Sequence, residues 1–322
     1  MKATSSHPSH LPLAVGVDFG GTSVKIGLAS GAELTGPVES LRTSDHPGPK
    51  SMLRAIADVV DRFRQAPGGE RIRAIGMGVP GVVDHQSGIC AHLTNVEGWN
   101  NLPLRDLLQE ATGLPAAVDN DANCATNAEW RHGAAKGHRH VIVITLGTGV
   151  GGGLVLDGHL YRGATFAAGE IGHVSVDFRG VPGPHGNVGA LERYVGNRQI
   201  VDMARHLYSE AGQSEAAMNE DLSPRLLAEA ATKGDAVALE VWDRVSHYLA
   251  TALAGSVYLL NPEAIVIGGG VAQAGAVLFE PLQKMLFGML PTEFTSILRI
   301  LPARYGNTAG IIGSAALGLE VA

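Results

Sequence analysis

Cysteine is nearly absent from this chain of 322 residues, which carries only Cys90 and Cys124. Two thiols cannot build a disulfide framework or a four-thiolate metal site, so a secreted disulfide scaffold is excluded. No apolar run reaches the length of about 18 residues that a membrane-spanning helix needs. The opening residues, MKATSSHPSHLP, lack the apolar core of a signal peptide and read as a flexible tail over 1–12. Basic residues are in the minority, 24 against 31 acidic ones, and no Lys/Arg cluster stands out. That balance argues against a nucleic-acid partner held by phosphate contacts. The expectation is a cytoplasmic protein with neither membrane nor nucleic acid as partner.

Glycine is abundant instead. There are 43, where average usage in a chain of this length gives about 23, so tight turns and close backbone approaches are expected. A hydrophobic share of 45% with 17% charge belongs to a globular chain with a sizeable core, long enough for two domains. LAVGVDF (13–19) and VKIGLAS (24–30) read as strands around a glycine turn, and 50–65 reads as an amphipathic helix. IRAIGMGV is a further strand, LPLRDLLQEAT a helix stopped by Gly113, and AAVDN a strand running into the helix DANCATNAEWRHG. VIVITL (141–146) opens the same plan again: strand, the loop GTGVGGG, strand LVLDG. Residues 165–196 read as a long Gly-, Pro- and His-rich loop. Helices are expected over most of 198–260, EAIVIGG is a strand, and TAGIIGSAALGLE a closing helix.

Two stretches match G-x-G-x-x-G, at Gly76–Gly81 and Gly147–Gly152. Neither runs into the helix whose N-terminus a dinucleotide pyrophosphate needs, and the P-loop pattern G-x-x-x-x-G-K-[ST] is missing. A strand–glycine loop–strand can be a plain hairpin, or a backbone that closely approaches phosphate oxygens with its N–H groups. Two such loops, with hydroxyls at Thr22 and Thr148, and the third cluster IVIGGG (265–270) favour a nucleotide. Asp18 has the wrong charge for direct phosphate contact and fits a Mg²⁺, met directly or through water. Asp119, Asn120 and Asp121 fall at a strand-to-helix junction. Capping is the commoner role for an Asp such as Asp121, yet a carboxylate near a hydroxyl is also what phosphoryl transfer to an alcohol requires. Glu170, His173 and Glu192 form a second polar group, for which solvent exposure and ordinary hydrogen bonding are the plain alternatives.

The ordered pieces VDFGGTSVKIG, GMGVPG, LTNVEGW, DNDAN, TLGTGVGGG, GEIGHVSV, LERYVG and IVIGGG resemble the ROK family of sugar kinases and repressors over about residues 13–320. The family lies within the actin-like ATPase superfamily. The resemblance implies an α/β fold of two actin-like ATPase (ribonuclease H-like) domains with an interdomain cleft. The domains would be 13–127 plus about 303–322, and 128–302. It implies ATP- and Mg²⁺-dependent phosphorylation of a hexose, usually at C6, in a frequent homodimer. By position, Asp121 resembles the family's catalytic base, and Asn95, Asn120, Glu170, His173 and Glu192 resemble its sugar ligands. Asp18, Gly20, Gly21, Thr22 and Lys25 resemble the first phosphate loop, Thr148 and Gly149 the second, and Gly269 and Gly270 the adenosine side. Many members follow the histidine with three cysteines that hold a structural zinc. Here Gly183, His185 and Ala190 stand in those places, so His173 and His185 supply at most two ligands and no structural zinc is expected. A glucokinase leads the functional readings. The alternatives are a kinase for another hexose or N-acetylhexosamine, and a glucokinase using polyphosphate. A sugar-responsive repressor fits poorly, since only about 15 residues precede the first loop, without helical period.

Overall fold

The computed structural model describes residues 11–93 and 98–322, which divide into two compact units. The first takes residues up to Gly133, then Arg162–Ala167 and Thr308–Ala322; the second takes Ala134–Tyr161 and Ala168–Asn307.

The first unit begins with β1 (Leu13–Phe19), β2 (Ser23–Ser30), β3 (Glu33–Leu34) and β4 (Glu39–Arg42). Helix α1 (Gly48–Gln65) follows, then β5 (Ile72–Val79) and a small three-stranded sheet of β6 (Gly81–Asp84), β7 (Ile89–Leu93) and β8 (Asn100–Leu102). That small sheet is absent from the sequence reading, because its strands are short and their alternation is weak. Next come α2 (Leu104–Thr112), ended by left-handed Gly113, then β9 (Ala116–Asn120) and α3 (Asp121–Arg131). α3 runs past the domain boundary expected at residue 127. The main sheet has the order β3-β2-β1-β5-β9, with β4 beside β2, and β5 and β9 run parallel to β1. Alternation along β1 sends Leu13, Val15, Val17 and Phe19 into a core with Met52, Ile56, Val59 and Phe63 of α1. Each of those large side chains contributes about 1.5–3 kcal/mol by leaving water.

The second unit repeats the plan. β10 (Val141–Leu146), β11 (Val150–Leu156) and β12 (His159–Tyr161) form an antiparallel meander, and β13 (Ala264–Gly268) and β14 (Arg299–Pro302) lie parallel to β10. Its order, β12-β11-β10-β13-β14, corresponds strand for strand to that of the first unit. The helices are α4 (Glu192–Val195), α5 (Asn197–Glu210), α6 (Ser214–Ala217), α7 (Pro224–Thr232), α8 (Ala236–Leu260), α9 (Ala276–Gly288) and α10 (Thr292–Thr295). α8 packs on α5, α7 and α9 around the buried Trp242 and Leu249. Glu263, just before β13, accepts from the backbone N–H groups of Arg139 (2.5 Å) and His140 (2.9 Å) ahead of β10.

The chain returns to the first unit as α11 (Ala309–Leu319), packed on α3, β1 and β5. Its backbone comes so near the sheet that a Cβ at Gly16 would overlap the Ile311 carbonyl, and one at Gly76 the Ser314 carbonyl. Part of the glycine excess is therefore a packing requirement and not turn chemistry. No helix among the described residues is long and apolar enough to cross a membrane.

Candidate active site

In the first unit the β1–β2 turn leaves Gly21 and Thr22 exposed. Gly20 donates to the Ser23 carbonyl (2.9 Å), while Thr43 grips the turn from its backbone N–H to Thr22 O (3.0 Å) and from its hydroxyl to Gly20 O (3.1 Å). Thr43 escapes the sequence reading. Its signal lies in the register that sets Ser23 opposite Arg42, so the next residue falls against the turn. Asp18 and Lys25 are cross-strand partners. Burial pushes the Asp18 carboxyl above its ordinary range, and the Lys25 charge pulls it partly back. Gly310 of α11 leaves the space that this carboxylate fills.

Asp18, Gly78 and Asp119 lie side by side across β1, β5 and β9. Strands about 4.8 Å apart put the two aspartate backbones about 10 Å from each other at one sheet edge. Asp119 is buried and accepts hydrogen bonds from Asn120 N (2.8 Å), Asn123 Nδ2 (3.0 Å) and Arg162 Nε (2.8 Å), with Arg162 Nη2 in ion-pair contact at 2.6 Å. Asn120 is the cap of α3, its Oδ1 accepting from Asn123 N (3.1 Å) while its Nδ2 donates to Gly81 O (3.1 Å). Capping at Asp121, the plain reading of the sequence, is thereby corrected. Asn120 has the extended backbone from which a side chain reaches the third helical N–H, whereas Asp121 is already the first helical residue. The Asp121 carboxylate is partly buried and accepts from Ala122 N (2.8 Å). Arg162, 43 positions away in sequence, was not anticipated.

In the second unit the turn is shorter than the expected GTGVGGG. It spans Gly147–Gly149, because β11 starts at Val150 and Gly151–Gly153 belong to the strand. The reason is steric, since a Cβ at Gly152 would overlap the Gly169 carbonyl. Thr148 and Gly149 are exposed, and Asn197 N holds the turn through Gly147 O (2.9 Å). Gly269 follows β13 in the left-handed region (φ 87°), where a side chain would strike the Leu146 carbonyl. Gly269 and Gly270 therefore lie beside the 147–149 turn.

His173 stands between Glu170 (Nε2 to Oε2, 3.7 Å) and Glu192 (Nδ1 to Oε1, 3.8 Å), separations too long for hydrogen bonds. A Cβ at Gly149 would sit 3.3 Å from Glu192 Oε2, so this polar group adjoins the glycine turn. The loop after His173 is ordered by its own backbone, with Val176 N on Gly189 O (2.8 Å), Leu191 N on Val174 O (2.9 Å) and Gly183 N on Asn187 O (2.7 Å). Asn187 Nδ2 also donates to His173 O (2.7 Å), and the His185 ring meets that of His173 edge-on at 4.8 Å. Among the described residues no group of three or more His, Cys, Asp or Glu side chains is placed to hold a metal ion. Asn95 lies outside the described residues.

The model of the ROK family matches residues 14–321. A glucokinase of Halalkalibacterium halodurans is 37% identical over 309 residues, covering 93% of this chain and 92% of its own. The crystal structure of a ROK family glucokinase from Streptomyces griseus with glucose and AMPPNP superposes with a TM-score of 0.81 at 30% identity, covering 96% of this chain and 99% of the other. The DNA-binding transcriptional repressor Mlc of Escherichia coli is 29% identical over 266 residues, 82% of this chain and 65% of the repressor.

Proposed function

The chain belongs to the ROK family, and on that premise we propose that it is an ATP-dependent glucokinase, converting glucose and ATP to glucose 6-phosphate and ADP. The observation that carries this reading is the β9–α3 junction. Asn120, and not Asp121, caps α3, and the Asp121 carboxylate stands in the first turn of that helix beside it. In the reaction the C6 hydroxyl oxygen forms a bond to the γ-phosphorus as the bond to the bridging oxygen of ADP breaks. Asp121 accepts the hydroxyl proton. Asn120, Glu170, His173 and Glu192 supply donors and acceptors for sugar hydroxyls, as Asn95 does in the family resemblance. The turns at Gly20–Thr22 and Thr148–Gly149, with Lys25, present N–H, hydroxyl and ammonium donors to phosphate oxygens. Gly269 and Gly270 leave room for the nucleoside.

The carboxylate of Asp18 fits a Mg²⁺ that comes with the nucleotide, being a hard oxygen donor whose burial calls for a nearby cation. When bound, that ion neutralises charge on the β- and γ-phosphates. A homodimer working in the cytoplasm belongs to the same reading, on the strength of the family resemblance. The test is a panel of hexoses and N-acetylhexosamines assayed with ATP and with polyphosphate. Glucose with ATP should show the highest kcat/KM. A preference for polyphosphate or another sugar would replace the donor or the substrate, and turnover of no sugar with either donor would overturn the reading.

A further inference from the structure

Asp119 has a side-chain exposure of 2%, and Arg162, its partner, 15%. A carboxylate that deep is costly unless its charge and its lone pairs are all matched. Here Oδ1 accepts two N–H groups, and Oδ2 accepts one from Arg162 Nε with the guanidinium charge at Nη2 2.6 Å away. The two on Oδ1 belong to Asn120 and Asn123, the residues that make the cap of α3. Both Arg162 contacts fall on Oδ2, which ties that oxygen to one planar guanidinium while Oδ1 holds the two asparagines.

Arg162 reaches this point from a six-residue passage, Arg162–Ala167, that belongs to the first unit although both its flanks belong to the second. The far end of the passage is also fixed. Phe166 packs edge-on to His85 with ring centroids 5.3 Å apart, and holds a left-handed backbone (φ 61°) that a large side chain rarely adopts. From there the chain needs only three more residues to reach Glu170.

We propose that Arg162 is a positioning residue for the phosphoryl transfer: acting through Asp119, it sets the orientation of Asn120 and of the adjacent Asp121. The inference rests on the hexose-kinase reading and deepens it. Arg162 touches neither sugar nor nucleotide in this role. It fixes the frame in which the base meets the hydroxyl, and misplacement by about 1 Å at such a point costs about 100-fold in rate.

The experiment begins with wild-type turnover of hexoses; if there is none, the kinase reading fails and this inference falls with it. On an active wild type, Arg162→Lys keeps the charge but not the planar guanidinium that places Nε and Nη2 on Oδ2 together. Its kcat should fall about 10- to 100-fold while the KM for ATP and the unfolding midpoint stay near wild type. Arg162→Lys placed on Asp121→Asn should add no further loss, because the arginine acts through that carboxylate. If the lysine variant does not fold, Arg162→Met combined with Asp119→Asn leaves no unpaired buried charge, and should give a folded protein with the same kcat defect. A folded variant with wild-type kcat would overturn the proposal. So would a multiplicative loss in the Asp121→Asn background, or a kcat deficit no larger than the loss of folded protein.

Discussion

Asp121→Asn separates catalysis from folding at the β9–α3 junction. The cap of α3 is Asn120, through its bond to Asn123 N (3.1 Å), and the substitution leaves that bond in place. What the helix loses is one negative charge in its first turn, worth about 0.3–1 kcal/mol. At about 2–4 °C per kcal/mol for a domain of this size, the unfolding midpoint should fall by no more than about 4 °C. The chemical step loses its proton acceptor, which is worth about 100- to 10,000-fold in rate. That corresponds to about 2.7–5.4 kcal/mol of barrier, several times the folding penalty. Thermal unfolding followed by circular dichroism gives the first quantity. Steady-state formation of glucose 6-phosphate, coupled to a dehydrogenase, gives the second. A kcat within about threefold of wild type would refute the assignment of Asp121 as base. A drop in midpoint large enough to unfold the protein at the assay temperature would refute the assignment of the cap to Asn120.

Gly269→Val places a Cβ against the Leu146 carbonyl at a left-handed φ of 87°. It should cost about 1–3 kcal/mol of stability and raise the KM for ATP, with the KM for glucose unchanged; an unaltered melting curve would contradict it. Glu263→Gln weakens the charged bonds to Arg139 N and His140 N. Those bonds hold the Glu263 carboxyl below its ordinary range, so its stabilising effect is present above the ordinary carboxylate pKa and is lost as pH falls through the lowered one. The variant should therefore be less stable than wild type by about 1 kcal/mol at neutral pH, and the gap should close in acid. A gap that stays constant down to full protonation would refute this. Elemental analysis of the purified protein should find no stoichiometric zinc, and chelator treatment followed by Mg²⁺ should restore full turnover. One zinc per chain would overturn the ligand count at Gly183, His185 and Ala190.

The strand–turn–strand plan was legible twice over, because LAVGVDF with VKIGLAS, and VIVITL with LVLDG, carry local alternation and glycine in neighbouring residues. The junction DNDAN was legible for the same reason, since a strand, a cap and a helix start fall within a few positions. Local patterns do not show which of two adjacent polar residues caps, and backbone angles decided for Asn120 over Asp121. The β11 glycines looked like loop because their strand role depends on the approach of Gly169, 17 residues downstream of Gly152. Arg162 and Thr43 were invisible for a similar reason. Each acts on a backbone or carboxylate brought near only by the completed sheet.

The packing of α11 has a consequence for how the chain is made. The helix covers β1 and β5 through glycine contacts that no other side chain could replace without overlap. Yet Ala309 is synthesised about 190 residues after Asn120 ends the sheet that it covers. At about 5–20 residues per second, the ribosome leaves the part of that sheet not covered by α3 bare for roughly 10–40 s. The second unit, contained within 134–307, has all its strands and helices before α11 appears. The unit that starts first is thus completed last, and its half-built apolar face is the stretch most exposed to chaperones and to misassembly during synthesis.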